Sequence, residues 1–416
     1  MPKSHLITGL DIGSTAIRIA VGERSKNDTK IRIIGAVEGP SAGISKGVVV
    51  GSEDAISAIS AVIERAERMI GQPIEHAWVG INGSHIVTTE SHGVVAVSKS
   101  NGEITYSDVD RVVEAAKAVA SPPNYEILHV IPKSFSVDQQ VGIKDPVGMT
   151  GIRLEVDTQI IQGQSAQIKN LSNCVYRTKL NIDDLVLSIL AAAECVLTAK
   201  QKEMGVAVVN LGGKTTSLAV FEEGDLLHTA VIPLGSDYIT SDIALYSQIS
   251  AETAEKIKVR EGSCSYKEFK RQEEMKFAAV GGMEEGTFSK REIAQVISMR
   301  VEEIFEQVDR ELKKIGKSGM LPAGAVVTGG GAKLDGIIEA AKKSLRLPAS
   351  IGYPHDLVSA LDRASDPAFT AAIGLVLWGD HLSDSGFGHV RSFSWNGPAV
   401  SGLVGKVKNI FKTLLP

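Results

Sequence analysis

The chain has 416 residues, 43% hydrophobic and 22% charged, enough apolar material for ordinary cores and unlike a disordered chain. At about 100–200 residues per domain, this length predicts two to four folded units. The formal net charge is −5, from 44 basic and 49 acidic residues, which disfavours a general nucleic-acid binder, normally a basic protein. Cys174, Cys195 and Cys264 are widely spaced and form no C-x-x-C pair, so neither a zinc site nor a disulfide framework is predicted. Buried free thiols in a reducing compartment are expected. Met1 to His5 lead straight into a strand-like segment, without the long apolar stretch of a signal peptide. The best candidate bilayer span, residues 185–199, is too short and contains Glu194. The expectation is a cytosolic protein with only peripheral membrane contact.

In chain order, residues 6–21 read as strand, tight turn and strand, with Ile17, Ile19 and Val21 alternating as on a half-buried strand. Residues 31–37 continue the sheet. Ser52 reads as the cap of a helix that carries Ile56, Ile59, Val62, Ile63 and Ile70 on one face. Residues 76–82 form another strand. From 84 to 163 the texture changes to an α+β insertion, in which short strands such as 94–97 surround one helix at 107–120, stopped by Ser121-Pro122-Pro123. Its histidines, His85, His92 and His129, are scattered and read as structural. Residues 183–200 read as one long buried helix, and 206–221 as a second strand–turn–strand. Residues 240–314 are mostly helical. A strand at 325–328 runs into Gly329-Gly330-Gly331, followed by a helix from about Leu334. Residues 371–378 are a last apolar helix, and 380–400 are a Ser-, Gly- and Asp-rich linker.

The informative feature is a weak duplication. Leu10-Asp11-Ile12-Gly13-Ser14-Thr15 precedes one strand, and Val209-Asn210-Leu211-Gly212-Gly213-Lys214-Thr215 precedes another. Glycines let backbone N–H groups approach phosphate oxygens, and Ser14, Thr15 and Thr215 add hydroxyl donors. Asp11 at the strand end is placed to hold a water of a bound magnesium, an ion that keeps most of its waters. Two such turns face to face would clamp a triphosphate. Each alone reads better as a plain glycine hairpin; it is the pairing, with Gly329-Gly330-Gly331 as a third loop, that points to a nucleotide. That third loop lies too late in the chain for a dinucleotide-binding first βαβ unit. A flat loop accepting an adenosine face fits better.

These three loops, in the order phosphate 1, phosphate 2, adenosine, resemble the actin-like ATPase clan, and within it the FtsA family of bacterial cell division proteins. The resemblance is carried by residues 9–15, by Ile81-Asn82-Gly83-Ser84-His85-Ile86, by Asp183-Asp184-Leu185-Val186-Leu187, by residues 235–244 and by Ala254-Glu255-Lys256-Ile257-Lys258. It implies a two-lobed α/β fold of duplicated RNase H-like domains, with an α+β 1C-type insertion and a C-terminal amphipathic helix. The implied division is 1–83 and 164–200 as domain 1A, 84–163 as subdomain 1C, 201–239 and 315–380 as domain 2A, and 240–314 as subdomain 2B. Residues 381–399 then form a flexible linker and 400–416 a membrane-targeting helix. The implied ligand is ATP with magnesium. It would be held by Asp11, Gly13, Ser14, Thr15, Asn210, Gly212, Gly213, Lys214, Thr215, Gly235, Gly329, Gly330 and Gly331, with Glu255 and Lys258 near ribose and base. Without the family, Glu255 and Lys258 are a surface pair three apart on a helix. At phosphate 2, Asn210 replaces the family's usual Asp and Lys214 its third Gly. Slow or absent hydrolysis is therefore expected, and Lys214 reads either as a phosphate contact or as a solvent residue.

After Asp384 there is no acidic residue, while Arg391, Lys406, Lys408 and Lys412 follow. Val400, Leu403, Val404, Val407, Ile410, Phe411, Leu414 and Leu415 keep i, i+3, i+4, i+7 spacing, and the lysines lie beside that stripe. Such a helix suits an anionic membrane surface; docking on the protein's own core or on a partner is the alternative. Trp395 reads as an interfacial anchor or an ordinary linker residue. The family resemblance implies an ATP-dependent scaffold that self-associates into filaments, tethers FtsZ to the inner membrane face at the division site, and recruits later division proteins through 1C. The FtsZ tail would be held near Arg300 or Arg291, although Arg300 reads equally as paired with an acidic neighbour on its own helix. A PilM-like pilus assembly ATPase is the runner-up. A sugar kinase or Hsp70-like ATPase fits less well.

Overall fold

The computed structural model describes residues 5–24, 30–120, 122–270 and 272–384. The chain opens with an antiparallel hairpin of β1 (His5–Ile12) and β2 (Ala16–Arg24), whose register sets Ile12 opposite Ile17 and Asp11 opposite Arg18. β3 (Ile31–Pro40) pairs with β2, and a two-strand ribbon follows, β4 (Ile44–Ser45) and β5 (Val48–Val49). Helix α1 (Ser52–Ile70) buries Ala55, Ile59, Val62, Ile63 and Ala66 over this sheet and returns the chain to β6 (His76–Ile81), parallel to β1. Ser52 is not its cap: Gly51 holds that position without a side-chain bond, and Glu53 and Asp54 supply the negative charge that suits a helix start.

The insertion contains β7 (Ile86–Ala96), α2 (Tyr106–Ala120), β8 (Tyr125–Val137), β9 (Gln140–Ile143) and β10 (Arg153–Gln164). Its sheet runs β7-β10-β8-β9, with α2 across one face. The strands are longer than the sequence suggested, 11 residues in β7 and 13 in β8. The apolar alternation in β7 is hidden because its buried face uses Ser91 and Gly93. A Cβ on Gly93 would stand 2.3 Å from the Val112 carbonyl oxygen of α2. The insertion has its own core around Val112, Phe135, Leu154 and Val156, while Ile86, Ile131 and Ile161 at its base join the core of the first lobe.

Helix α3 (Ser165–Arg177) leads to β11 (Asn181–Leu187), which pairs parallel to β6 and completes the sheet order β11-β6-β1-β2-β3. Residues 183–200 are therefore not one helix. The apolar run splits at Leu187/Ser188 into β11 and α4 (Ser188–Val196), with α5 (Ala199–Met204) beyond. A short apolar run carries no period that separates a buried strand from a buried helix. Here the β6 edge decides.

The second lobe repeats the first. β12 (Val206–Leu211), β13 (Thr216–Glu222) and β14 (Asp225–Ile232) form the antiparallel part, followed by α6 (Asp237–Ser247) and α7 (Ala251–Glu261). Residues 240–314 also contain a small ribbon, β15 (Glu274–Lys276) with β16 (Thr287–Ser289), before the long α8 (Lys290–Lys314). β17 (Ala325–Thr328) lies parallel to β12 as β6 lies to β1. Helix α9 (Ile337–Leu345) starts three residues later than Leu334, and β18 (Ala349–Ile351) gives the order β14-β13-β12-β17-β18. β19 (Leu357–Ser359) then returns to the first sheet beside β3, and α10 (Thr370–Asp384) runs beneath β1. α10 continues through Asp384, so a linker cannot begin at 381.

Strand alternation divides β12 between two cores. Val206 and Val208 face the first lobe's core with α4 and α10, whereas Ala207, Val209 and Leu211 face α6 to α9. The three cysteines are free and buried. Among the described residues no helix is long and apolar enough to cross a membrane. The basic tail, residues 400–416, lies outside the described residues, as do Trp395 and the rest of the linker beyond Asp384.

Helices α4 and α10 cross so closely that a Cβ on Gly374 would stand 1.8 Å from the Ala191 carbonyl oxygen. In an open helix position Gly374→Ala would stabilise by about 1 kcal/mol through helix propensity. At this crossing it is expected to destabilise by about 1–3 kcal/mol, the usual cost of overpacking, read as a lower urea midpoint. An unchanged or higher midpoint would show that the crossing has room.

Candidate functional site

The two duplicated turns close in the same way. Gly13 N–H donates to the Ala16 carbonyl at 3.1 Å, and Gly212 N–H to the Thr215 carbonyl at 3.0 Å. Each turn joins the central strand of its sheet to the next, so the hydroxyl-bearing tips of β1–β2 and β12–β13 meet where the lobes face each other. The approach is close: a Cβ on Gly213 would stand 1.9 Å from Thr15 Oγ1. Thr15 Oγ1 lies 3.3 Å from Asp237 Oδ2 at the start of α6. Asn82 Nδ2 donates to Thr215 Oγ1 at 3.4 Å, and Ser217 Oγ donates to Asn82 Oδ1 at 3.1 Å. These are contacts between lobes made entirely by polar side chains.

Gly235 sits against the second turn, where a Cβ would meet the carbonyl oxygen of Gly213 at 2.4 Å. The N–H groups of Ser236 and Asp237 donate to the Gly212 and Gly213 carbonyls at 2.9 and 2.7 Å, fixing the start of α6 to that turn. Lys258 Nζ, nearly buried, contacts the Ser236 carbonyl at 3.2 Å, Thr240 Oγ1 at 2.9 Å and Glu255 Oε2 at 2.6 Å. Glu255 also accepts from the Thr240 hydroxyl. The pair is therefore both a local ion pair and a brace for the α6 start. In the third loop Gly329 has φ 88° and its Cα abuts Asn210 Oδ1, while Gly331 is wedged on Leu211. Gly330 alone is open. A Cβ there would find only Arg18 Nη2, at 3.9 Å.

Asp11 is half-buried at the end of β1, and the Ser188 hydroxyl donates to its Oδ1 at 3.2 Å. Burial pushes its carboxyl above the usual range, against the partial opposition of Arg18 and the Ser188 bond. Arg18 itself pairs with Glu38 at 2.6 Å and lies 5.8 Å from the Phe369 ring, and its Nε finds no hydrogen-bond partner among the described residues. The sequence reading missed Arg18 and Ser188. The first was within reach, since a hairpin closing from Gly13 to Ala16 necessarily sets residue 18 across from Asp11. Ser188 depended on where β11 ends.

Lys214 reaches the first lobe, with Nζ 3.5 Å from Ser45 Oγ. Arg291 and Arg300 are not part of this cleft. Arg291 donates to the Phe269 carbonyl at 3.3 Å. Arg300, expected to be an exposed arginine, is half-buried and bound bidentately by Asp242 at 2.6 and 2.8 Å, with Glu303 on a third side. A fork-shaped guanidinium is satisfied best by such a carboxylate, which draws it onto α6 and away from solvent. Among the described residues no group of three or more His, Cys, Asp or Glu side chains is arranged to hold a metal directly. His129 Nε2 accepts the Leu187 N–H at 3.0 Å, and His92 bridges Asp157 and Glu155 at 2.8 and 2.9 Å.

The family model for cell division protein FtsA matches residues 207–374, and that for the SHS2 domain inserted in FtsA matches residues 83–162. Cell division protein FtsA of Pseudomonas aeruginosa is 37% identical over 377 residues, covering 91% of this chain and 90% of that protein. The Bacillus subtilis protein of the same name is 38% identical over 376 residues, 90% of this chain and 84% of that one. Among solved structures, a PilM-PilN type IV pilus biogenesis complex aligns with TM-score 0.65 at 14% identity, covering 90% of this chain and 98% of its own. MreB5 of Spiroplasma citri bound to AMPPNP aligns with TM-score 0.54 at 15% identity, covering 92% and 98%. At such identities the structures speak for the fold alone, the two-lobed actin-like one.

The Asp11 environment has a measurable consequence. A carboxyl whose folded pKa is raised adds to stability below its ordinary range, and that contribution is lost as pH rises through the raised value. Asp11→Asn cannot ionise, so at neutral pH the ligand-free variant is expected to be at least as stable to urea as the wild type. The difference should shrink as pH falls below the carboxylate range. A variant clearly weaker at neutral pH would mean that the Arg18 attraction outweighs burial.

Proposed function

The chain belongs to the FtsA family of cell division proteins, and we propose that it is an ATP-binding scaffold that tethers the FtsZ ring to the inner face of the cytoplasmic membrane. The single observation that carries the nucleotide reading is the convergence of two equivalent glycine turns with Ser14, Thr15 and Thr215 between the lobes. In this reading the Gly13 and Gly212 N–H groups close the turns, and the backbone N–H groups of Ser14, Thr15, Gly213, Lys214 and Thr215 take the phosphates. Asp11, held in place by Ser188, orients a water of magnesium, and the open face of Gly330 accepts adenosine. The half-burial of Asp11 beside hydroxyl donors suits a group that acts through a water rather than as a direct ligand. The MreB5 structure with AMPPNP lends support as a protein of the same fold that holds a nucleotide.

Asn210 supports slow or absent hydrolysis. It carries no charge to hold a metal water, and its carboxamide oxygen is already placed against Gly329. Self-association into filaments and recruitment of later division proteins through the 1C insertion are proposed on family grounds. So is a site for the FtsZ tail on the 240–314 unit. The bidentate hold of Asp242 means that a partner carboxylate would have to displace it from Arg300, so Arg300 acts there only by exchange. A PilM-like role is the weaker reading, since the PilM-PilN similarity is one of fold at 14% identity, against 37% to FtsA of Pseudomonas aeruginosa.

Two measurements test this. Gly330→Trp adds a side chain where a Cβ meets no backbone, so the protein is expected to stay folded while ATP affinity falls at least about tenfold, a loss of about 1.4 kcal/mol. Undiminished ATP binding would move the site elsewhere. For the membrane, residues 400–416 supply an apolar stripe, and each lysine adds about 1 kcal/mol near an anionic surface. Val407→Glu is expected to release the protein from anionic liposomes in a flotation assay, and unchanged flotation would remove the tail as the anchor.

A further inference from the structure

The β4–β5 ribbon turns at Lys46 and Gly47, with φ 52° and 77°, a pair of left-handed positions at which Asn-Gly is the usual choice. A lysine there occupies backbone that disfavours it. The turn is pinned to the first lobe, because Gly47 N–H donates to Ser14 Oγ at 3.1 Å and a Cβ on Gly47 would meet the Asn82 carbonyl oxygen at 2.0 Å. From this fixed base the side chains cross the cleft. Lys46 Nζ lies 5.7 Å from the centroid of Tyr238, and Ser45 Oγ is 3.5 Å from Lys214 Nζ.

Two half-buried ammonium groups, one from each lobe, thus flank the tip beside Ser14. Neither has a carboxylate within ion-pair distance among the described residues. The nearby carboxylate of Asp237 faces Thr15 instead. Each ammonium is free to meet an anion without first breaking an ion pair. The turn N–H groups lie deeper in the cleft than these lip cations, which are placed for the outermost charge of a bound anion.

We propose that the ribbon tip is a terminal-phosphate clamp: Lys46 leaves the Tyr238 ring to contact the third phosphate of a bound nucleoside triphosphate, so that the ribbon closes on ATP and not on ADP. This rests on the ATP reading above. Lys46 is a binding and discriminating residue, and no covalent bond to it forms or breaks.

The test is calorimetric titration of the full chain with ATP and with ADP, both with magnesium, for the wild type, Lys46→Met, Lys46→Arg and Gly330→Trp. Met keeps the length and the backbone demand, so folding is retained, with the ligand-free melting temperature as the control. Loss of a charge-assisted contact should weaken ATP about tenfold. ADP affinity should be unchanged, and Lys46→Arg should keep the preference for ATP. Equal loss for both nucleotides, or no loss for either, overturns the clamp while leaving ATP binding intact. A wild type that binds neither nucleotide, indistinguishable from Gly330→Trp, removes the ATP reading itself and the clamp with it.

Discussion

The close crossing of α4 and α10 is the constraint on which the rest of the molecule depends. The chain passes from the first lobe to the second through α4 and comes back through β19 and α10, so these two helices form the floor on which both sheets stand. α10 is pressed from two sides. A Cβ on Gly374 would lie 1.8 Å from the Ala191 oxygen of α4, and one on Gly9 of β1 would lie 2.2 Å from the Ala372 oxygen of α10. Backbone meets backbone with no side chain between, so neither helix can slide without lifting the other. The space above this floor is the cleft.

Above the floor, the two hairpin turns come together because they occupy the same place in two copies of one topology. In each lobe the central strand pairs antiparallel on one side and parallel on the other, and its end is where the chain must reverse. Duplicating such a unit and facing the copies across a shared pair of helices brings the two turns opposite each other. The contacts that result, Thr15 to Asp237 and Asn82 to Thr215 and Ser217, are long or weak hydrogen bonds between polar groups. Polar contacts of this kind break and re-form in water at little net cost, since water replaces them. An interface meant to open for a ligand suits that chemistry better than a greasy one would.

The insertion is tied down differently. Its base shares Ile86, Ile131 and Ile161 with the first lobe's core, while its sheet face touches β14 of the second lobe through Gln159 Nε2, which donates to the Leu227 carbonyl at 2.9 Å, and through Thr88 and Thr229, whose hydroxyls lie 2.5 Å apart. It therefore shares its core with the first lobe and meets the second through polar contacts, among them the Lys144–Asp225 ion pair. Tyr238 links another pair of distant parts. Its ring lies 5.7 Å from the Lys46 ammonium on one side and 5.7 Å from the Arg300 guanidinium on another, so the cleft lip and the long helix α8 share a neighbour.

The sequence by itself determined the duplicated turns, the third glycine loop, the family and the insertion. These are local matters: glycine spacing, hydroxyls in fixed order, and a change of texture are written in adjacent residues. The tertiary structure decided what depends on partners far away in the chain. Residues 183–187 became strand because the edge of β6 was waiting for them, and β7 ran to full length because β10 pairs with it from end to end, with Gly93 leaving room for α2. Arg300 turned inward because Asp242, on another helix, offers two charged oxygens that match the guanidinium fork. Lys46 gained its place only when Ser14 fixed the ribbon and Tyr238 arrived from the other lobe. A single strand of sequence states a residue's chemistry and its neighbours' period, but which charges meet is set by which backbone edges pair and how closely the helices beneath them pack.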